Sequence, residues 1–292
     1  MRRLLLAAVL SLVAIPAPAR AWGFQAHQFI ADRAIAALPP EIRPFFQANR
    51  TFIVEHTIDP DLWRTAGFTE ESPRHFLNLD AYGAYPFADL PRAYDAALAK
   101  YGADTLVGNG LLPWRAAEVA GWLRRAFEET RSAGYARRNV AFFSAVLAHY
   151  IADAHVPFHA VLNYDGQLTG QHGIHARWES DLFVRFERRL TIAPAAVRPA
   201  SEVRDLVFDT LLSSVRLASG VLDADRRALG ARDRYDDGYF EAFFEGTRGV
   251  LERRLAESIA ASAAAVTGAW QAAGRPPMPV TPPAPPPRRR GR

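Results

Sequence analysis

Apolar residues recur along this chain at steps of three and four, and almost nowhere at steps of two. From Ala26 to Leu38, residues Phe29, Ile30, Ala34, Ile35 and Leu38 fall on one helical face before Pro39-Pro40 stops the run. Comparable runs occupy 88–101, 113–131, 136–154, 174–190, 202–224 and 239–270, and stretches of alternating Val, Ile and Thr are nearly absent. The pattern predicts one all-α, multi-helix domain over residues 22–272, with no internal repeat. A chain of 292 residues with 49% hydrophobic and 23% charged side chains has the material for such a core, and is not a disordered or fibrous one. Between Phe52 and Phe87 turn formers cluster without a clear period, so a long loop is expected there, and loops of that length are usually functional or disordered.

The two ends read differently from the middle. Arg2-Arg3, an apolar run from Leu4 to Ile15 and then Ala19-Arg20-Ala21 make residues 1–21 an expected signal peptide, cut so that the mature chain starts at Trp22. That apolar run is shorter than the ~20 residues a membrane span needs, and no later stretch is long and apolar enough. An exported protein, periplasmic or secreted, without a transmembrane segment is the expectation. Residues 273–292 are rich in Pro and end in Arg, which predicts an extended, unpacked tail. The formal net charge of +4 resides at these ends: without the seven arginines of 1–21 and 288–292 it becomes −3. Basicity therefore does not argue for a polyanion groove in the folded body. The chain has no cysteine, which excludes disulfides, thiolate nucleophiles, zinc fingers and iron–sulfur clusters, and leaves His, Asp and Glu as the strong metal ligands.

The eight histidines are unevenly placed, and none lies beyond residue 175. His149 and Asp153 stand four residues apart on a segment otherwise apolar on that face, so both side chains turn inward together. Burying an imidazole beside a carboxylate costs several kcal/mol unless each has a partner, and one metal ion serves both. His175 and Glu179 repeat the step, with His159 between the pairs after Pro157. Two hydrogen-bonded core pairs would explain either pair alone; their recurrence around a third histidine favours a metal cluster on facing helices. Trp22 adds to this, because a freshly cut α-amino group has a pKa of about 8 and, with its own carbonyl oxygen, chelates metal. His27 follows five residues later and reaches the same ion.

These motifs resemble the superfamily shared by zinc-dependent phospholipase C and the single-strand-specific S-one/P-one nucleases, whose mature N-terminus is itself a zinc ligand. The match lies in His149-x3-Asp153-x5-His159 with Pro157, in His175-x3-Glu179, and in Trp22-Gly23-x3-His27, with an Asp-to-His pair in the 52–87 segment. The resemblance implies three zinc ions. Asp61, His75, His149 and Asp153 would hold one; the Trp22 terminus, His27 and the bridging Asp153 a second; His159, His175 and Glu179 a third. Asp59 competes with Asp61 for the loop position, standing 16 rather than 14 residues before His75. Asp61, as ligand and acceptor, would also orient the attacking water, which makes it the catalytic residue. His56, His155 and His172 match no ligand position. The run from Asn163 to Gln167 lies between the ligand pairs and reads equally as cleft lining or as a plain turn.

The resemblance implies an exported zinc phosphodiesterase, monomeric, with no protein nucleophile, which agrees with the absence of Cys and of a Gly-x-Ser-x-Gly elbow. Its substrate stays open between a phospholipid head group and single-stranded nucleic acid. Glu179, where the nucleases use Asp, and the 14-residue step from Asp61 to His75 lean to phospholipase C. The short Trp22–His27 interval and Trp178 look like the nucleases, but their Gly-Gly-Asn run is replaced by Gly170-Gln171-His172-Gly173. A non-catalytic, zinc-stabilised helical binding module is the alternative; it would need closed coordination spheres, whereas a catalytic site keeps one position open.

Overall fold

Residues 136–154 contain six alanines, the best helix former and the smallest side chain that keeps a helix stable, and the computed structural model makes them a helix at the centre of the molecule. All but four of its nineteen residues are buried. The structure describes residues 23–193 and 195–281. In chain order the helices are α1 (Phe24–Ala36), α2 (Arg43–Ala48), α3 (Arg50–His56), α4 (Asp59–Thr65), α5 (Tyr94–Tyr101), α6 (Ala103–Asn109), α7 (Leu112–Glu129), α8 (Ala136–Ala154), α9 (Ile174–Ala176), α10 (Leu182–Phe186), α11 (Val203–Leu229) and α12 (Asp237–Ala272). A π-helical turn, Arg177–Asp181, joins α9 to α10, and 3₁₀ turns cover Thr69–His75, Leu79–Tyr82 and Pro157–Ala160. The described residues contain no strand, and the protein is all-α.

α8 packs against α1, α3, α7, α11 and α12. Two apolar clusters form around it. One joins α7 and α8 to the C-terminal part of α12 through Leu123, Phe127, Leu147, Tyr150 and Trp270. The other joins α1 and the rod 174–186 to the earlier part of α12 through Ile30, Phe158, Trp178, Phe183 and Phe243. Tyr150, Ile151 and Ala154 belong to the first cluster, and Ala152 and Val156 to the second. His149 and Asp153 thus lie in the seam where the clusters meet.

Periodic segments became helices close to where their spacing places them, but the reading of 52–87 as one long loop is corrected. That segment holds the end of α3, all of α4 and two 3₁₀ turns. None of these elements exceeds seven residues, too few turns to write an apolar stripe; α2 and α6 escaped the periodicity for the same reason. The tail is also corrected, because the packed body continues past residue 272 as far as Val280. Met278 is 4% exposed, Trp270 Nε1 donates to Pro276 O at 2.9 Å, and Arg137 donates to the carbonyls of Pro279 and Val280. Prolines lack an N–H but keep an acceptor, so an extended Pro-rich segment is bound by side-chain donors instead of a ladder. Residues 1–21, Trp22 and 282–292, on which the expected signal peptide, the expected terminal ligand and the Arg-rich end fall, lie outside the described residues.

One glycine fixes the segment that carries His75. Gly110, between α6 and α7, has φ 101° and ψ 157°, a conformation essentially reserved for glycine. A Cβ there would lie 2.0 Å from Phe76 O. This close approach lets Leu111 N donate to Pro73 O (2.6 Å), Leu112 N to Phe76 O (3.2 Å) and Asn78 N to Asn109 O (2.8 Å). Gly110→Ala is therefore expected to destabilise the protein by about 2 kcal/mol or more in urea denaturation, and to shift His75 with its segment. An unchanged urea midpoint would show that the segment gives way without cost.

Candidate metal centre

Every ligand predicted within the described residues reaches the seam. His27 comes from α1, Asp61 from α4, His75 from the end of a 3₁₀ turn, His149 and Asp153 from α8, His159 from the turn after Pro157, His175 from α9 and Glu179 from the π turn. None is more than 6% exposed. Asp153 is the hub: Oδ1 lies 3.4 Å from His27 Nε2 and 3.9 Å from His159 Nδ1, while Oδ2 lies 3.0 Å from His75 Nδ1 and 3.3 Å from His149 Nε2. Donor atoms converge within 4.8 Å of one another in three sets: His27, Asp61 and His149; His75, His149 and Asp153; and His159, His175 and Glu179. The first set groups His27 with Asp61 and His149, although its contact with Asp153 is also present.

Asp61 and Asp59 are separated by their surroundings. Asp61 is 1% exposed and stands 3.9 Å from His75 Nδ1, whereas Asp59 pairs with His56 at 2.7 Å. Of the histidines without a ligand role, His155 is nevertheless buried, bonded through Nδ1 to Ile151 O at 2.7 Å, and His172 is exposed. Tyr164 lines the cleft. Its neighbours make a turn, in which Asp165 accepts from Gly173 N at 3.0 Å and from His175 N at 3.4 Å, at the start of α9.

Backbone carbonyls set two of the imidazoles. His149 donates from Nδ1 to Thr57 O (2.9 Å) and His159 from Nδ1 to His75 O (2.5 Å), so each presents Nε2 to the cluster. Electrostatics prepare the set for cations. Burial, then the neighbouring His149, lowers the pKa of His27 to about 4, and burial with His159 pushes His175 well below its usual value. Both rings are therefore neutral, with lone pairs to offer. Burial raises a carboxyl, yet the facing His149 and His159 hold Asp153 well below the usual range. Glu179 lacks such relief: burial, followed by the charges of Asp153 and Asp61, pushes it well above.

The decisive test of fit is what these atoms lack. Both ring nitrogens of His27 and His175, both oxygens of Glu179, Asp61 Oδ2, Asp153 Oδ1 and His75 Nε2 are buried without a hydrogen-bond partner among the described residues. Native interiors leave few such atoms, and each costs about 1–3 kcal/mol if nothing meets it. A model of the zinc-dependent phospholipase C family matches residues 26–221. The chain belongs to that family. No match was found among curated proteins. As a zinc-dependent phospholipase C family member it is a metal-dependent hydrolase of phosphoric ester bonds, and the all-nitrogen-and-oxygen donor set suits zinc. The family favours the hydrolase over the non-catalytic binding module.

A cleft of about 730 Å³ opens onto the family member's cluster, lined by His75, His159 and His175 together with Arg64, Phe76, Asn78, Phe158 and Tyr164. Arg64, bonded to Asp61 Oδ1 at 3.0 Å, was not singled out by the sequence; its position one helical turn after Asp61 was the available signal. Glu71 was missed as well, since an acidic residue in an aperiodic segment looks like surface, and it is 2% exposed. No helix among the described residues is long and apolar enough to cross a membrane.

Proposed function

We propose that this chain is an exported phospholipase C-type phosphodiesterase working with three zinc ions, the Trp22 amino terminus completing the set held by His27 and Asp153. The observation that carries the reading is the convergence of unpartnered, buried donor atoms on the floor of a cleft, in three sets. Bound zinc supplies Lewis-acid charge to phosphate oxygens and acidifies water to near neutrality. The protein's own groups do the rest. Asp61, with Oδ1 held by Arg64, keeps Oδ2 free to ligate and to accept the attacking water's proton. The Arg64 guanidinium, 20% exposed at the cleft, meets the negative charge of the phosphate, and the backbone bonds of His149 and His159 keep their rings from turning. Phe76, Phe158 and Tyr164 give the cleft apolar walls for the part of the substrate next to the phosphate. A phospholipid matches the family, the acidic balance of the body and Glu179 as the last acidic ligand.

The test is a rate measurement on bis(p-nitrophenyl) phosphate before and after chelation, followed by a panel of phosphatidylcholine, single-stranded DNA and RNA. Expected are turnover abolished by chelator and restored by zinc, and release of the phosphorylated head group from phosphatidylcholine. Turnover of nucleic acid alone would replace the lipid by a polynucleotide, and silence of the zinc-replete protein on every substrate would overturn the reading.

A further inference from the structure

A buried polar network behind His75 is unused by the reading above. Glu71 lies four residues before His75 in the same 3₁₀ turn, and its carboxylate is enclosed on all sides. Tyr150 Oη donates to Oε1, Arg74 Nη1 donates to Oε2 at 2.7 Å, and Arg115 Nη2 stands 3.8 Å from Oε2. Arg115 also donates from Nε to Tyr150 Oη at 3.2 Å. The network ties three elements together: the turn that carries His75, helix α7 through Arg115, and helix α8 at the residue that follows His149.

His75 is oriented unlike its neighbours. His149 and His159 present Nε2 because Nδ1 is bonded to a carbonyl, whereas His75 presents Nδ1, 3.0 Å from Asp153 Oδ2 and 3.1 Å from His149 Nε2. For Nδ1 to offer its lone pair the ring hydrogen must sit on Nε2, and that atom is buried without a hydrogen-bond partner among the described residues. Glu71 Oε1 lies 3.8 Å away, and the pair is nearly sealed from solvent.

We propose that Glu71 is the positioning residue for His75: its carboxylate receives the Nε2 hydrogen once Nδ1 turns to the metal, fixing the ring's tautomer and angle and making it a stronger ligand. Carboxylates and carbonyls behind ligating histidines serve this purpose generally. Tyr150, donating from Oη, fixes Oε1 on the side of the ring. Arg74 and Arg115 keep the carboxylate in place from the other side. If Glu71 merely balanced Arg115 within the core, the centre would be indifferent to its charge.

The inference rests on the metal reading above, and the experiment separates the two. Glu71→Gln keeps the shape and removes the charge. Wild type and variant are loaded with zinc, and dissociation constants are measured by chelator competition, alongside the visible spectrum of the cobalt-substituted protein and the melting of the metal-free forms. Expected are a zinc affinity at one site lower by about 10- to 100-fold, shifted cobalt bands, a reduced kcat with little change in KM, and metal-free melting close to wild type. Tyr150→Phe, which loosens Glu71 without removing its charge, is expected to move affinity in the same direction by about fivefold, and serves if Glu71→Gln does not fold. Wild-type zinc affinity and an unshifted cobalt spectrum in the variants would overturn the role of Glu71 and leave the metal centre standing. A wild-type protein that binds no zinc would overturn the centre, and this role with it.

Discussion

Asp153→Asn is expected to remove two of the three proposed zinc ions and lower kcat on bis(p-nitrophenyl) phosphate by on the order of a thousandfold or more, since several kcal/mol of charge stabilisation go with them. The side chain keeps its size, so the effect comes from charge and from donor–acceptor pattern. In the native protein each oxygen faces ring nitrogens, Oδ1 toward His27 and Oδ2 toward His75 and His149. An amide presents N–H to one of those sides and a neutral oxygen to the other, and neither bridges two cations. The set of His159, His175 and Glu179 is expected to retain its ion, because its donors converge without Asp153. Metal-free Asp153→Asn should fold, as the amide has the same size and leaves no void. The check is elemental analysis of zinc per chain beside the rate. Full zinc content with a rate within about twofold of wild type would show that Asp153 is not the bridge.

A chain that retains Ala21 ahead of Trp22 is expected to be slower by on the order of a hundredfold than one beginning at Trp22, since an acylated nitrogen has no lone pair for a metal and about 3 kcal/mol of metal-borne stabilisation is lost. His27 motivates this. It is 0% exposed, stacks on His149 with ring centroids 4.0 Å apart, and has both ring nitrogens unpartnered among the described residues. Its contacts are with Asp153, at 3.4 Å, and with the Asp61 and His149 donor set, so a ligand arriving from the start of α1 would complete the set. The two forms are compared by rate and by zinc per chain, with mass spectrometry verifying each terminus. Equal rates and equal zinc would remove Trp22 from the ligands and leave His27 to Asp153 and Asp61.

Much of this centre was legible because its chemistry is local. His149 with Asp153, and His175 with Glu179, share a helical face by virtue of a four-residue step, and an apolar face makes any charge upon it conspicuous. The elements of seven residues or fewer were not legible, as no stripe can form in two turns; α4, which brings Asp61, is one of them. The choice between Asp59 and Asp61 was likewise undecidable from spacing alone. Two residues apart on α4, they point in different directions, one to His56 and the other into the seam. The tail misled because composition reports what a segment cannot do with its own backbone. It does not report which donors elsewhere, here Trp270 and Arg137, will use its carbonyls.

Residue types and their spacing made this chain helical and pointed to a nitrogen-and-oxygen metal centre rather than a thiolate one, around His149, Asp153, His159, His175 and Glu179, since helical periodicity and ligand chemistry are properties of short stretches. Only the tertiary structure decided that Asp153 is the hub of histidines from four elements, that Gly110 lets the His75 segment dock, and that Glu71 with Tyr150 and Arg115 stands behind the one imidazole turned the other way. Those relations join positions more than thirty residues apart, from Tyr150 to Arg115 and on to Glu71. Burial and contact at such separations arise from packing, and no local pattern encodes them.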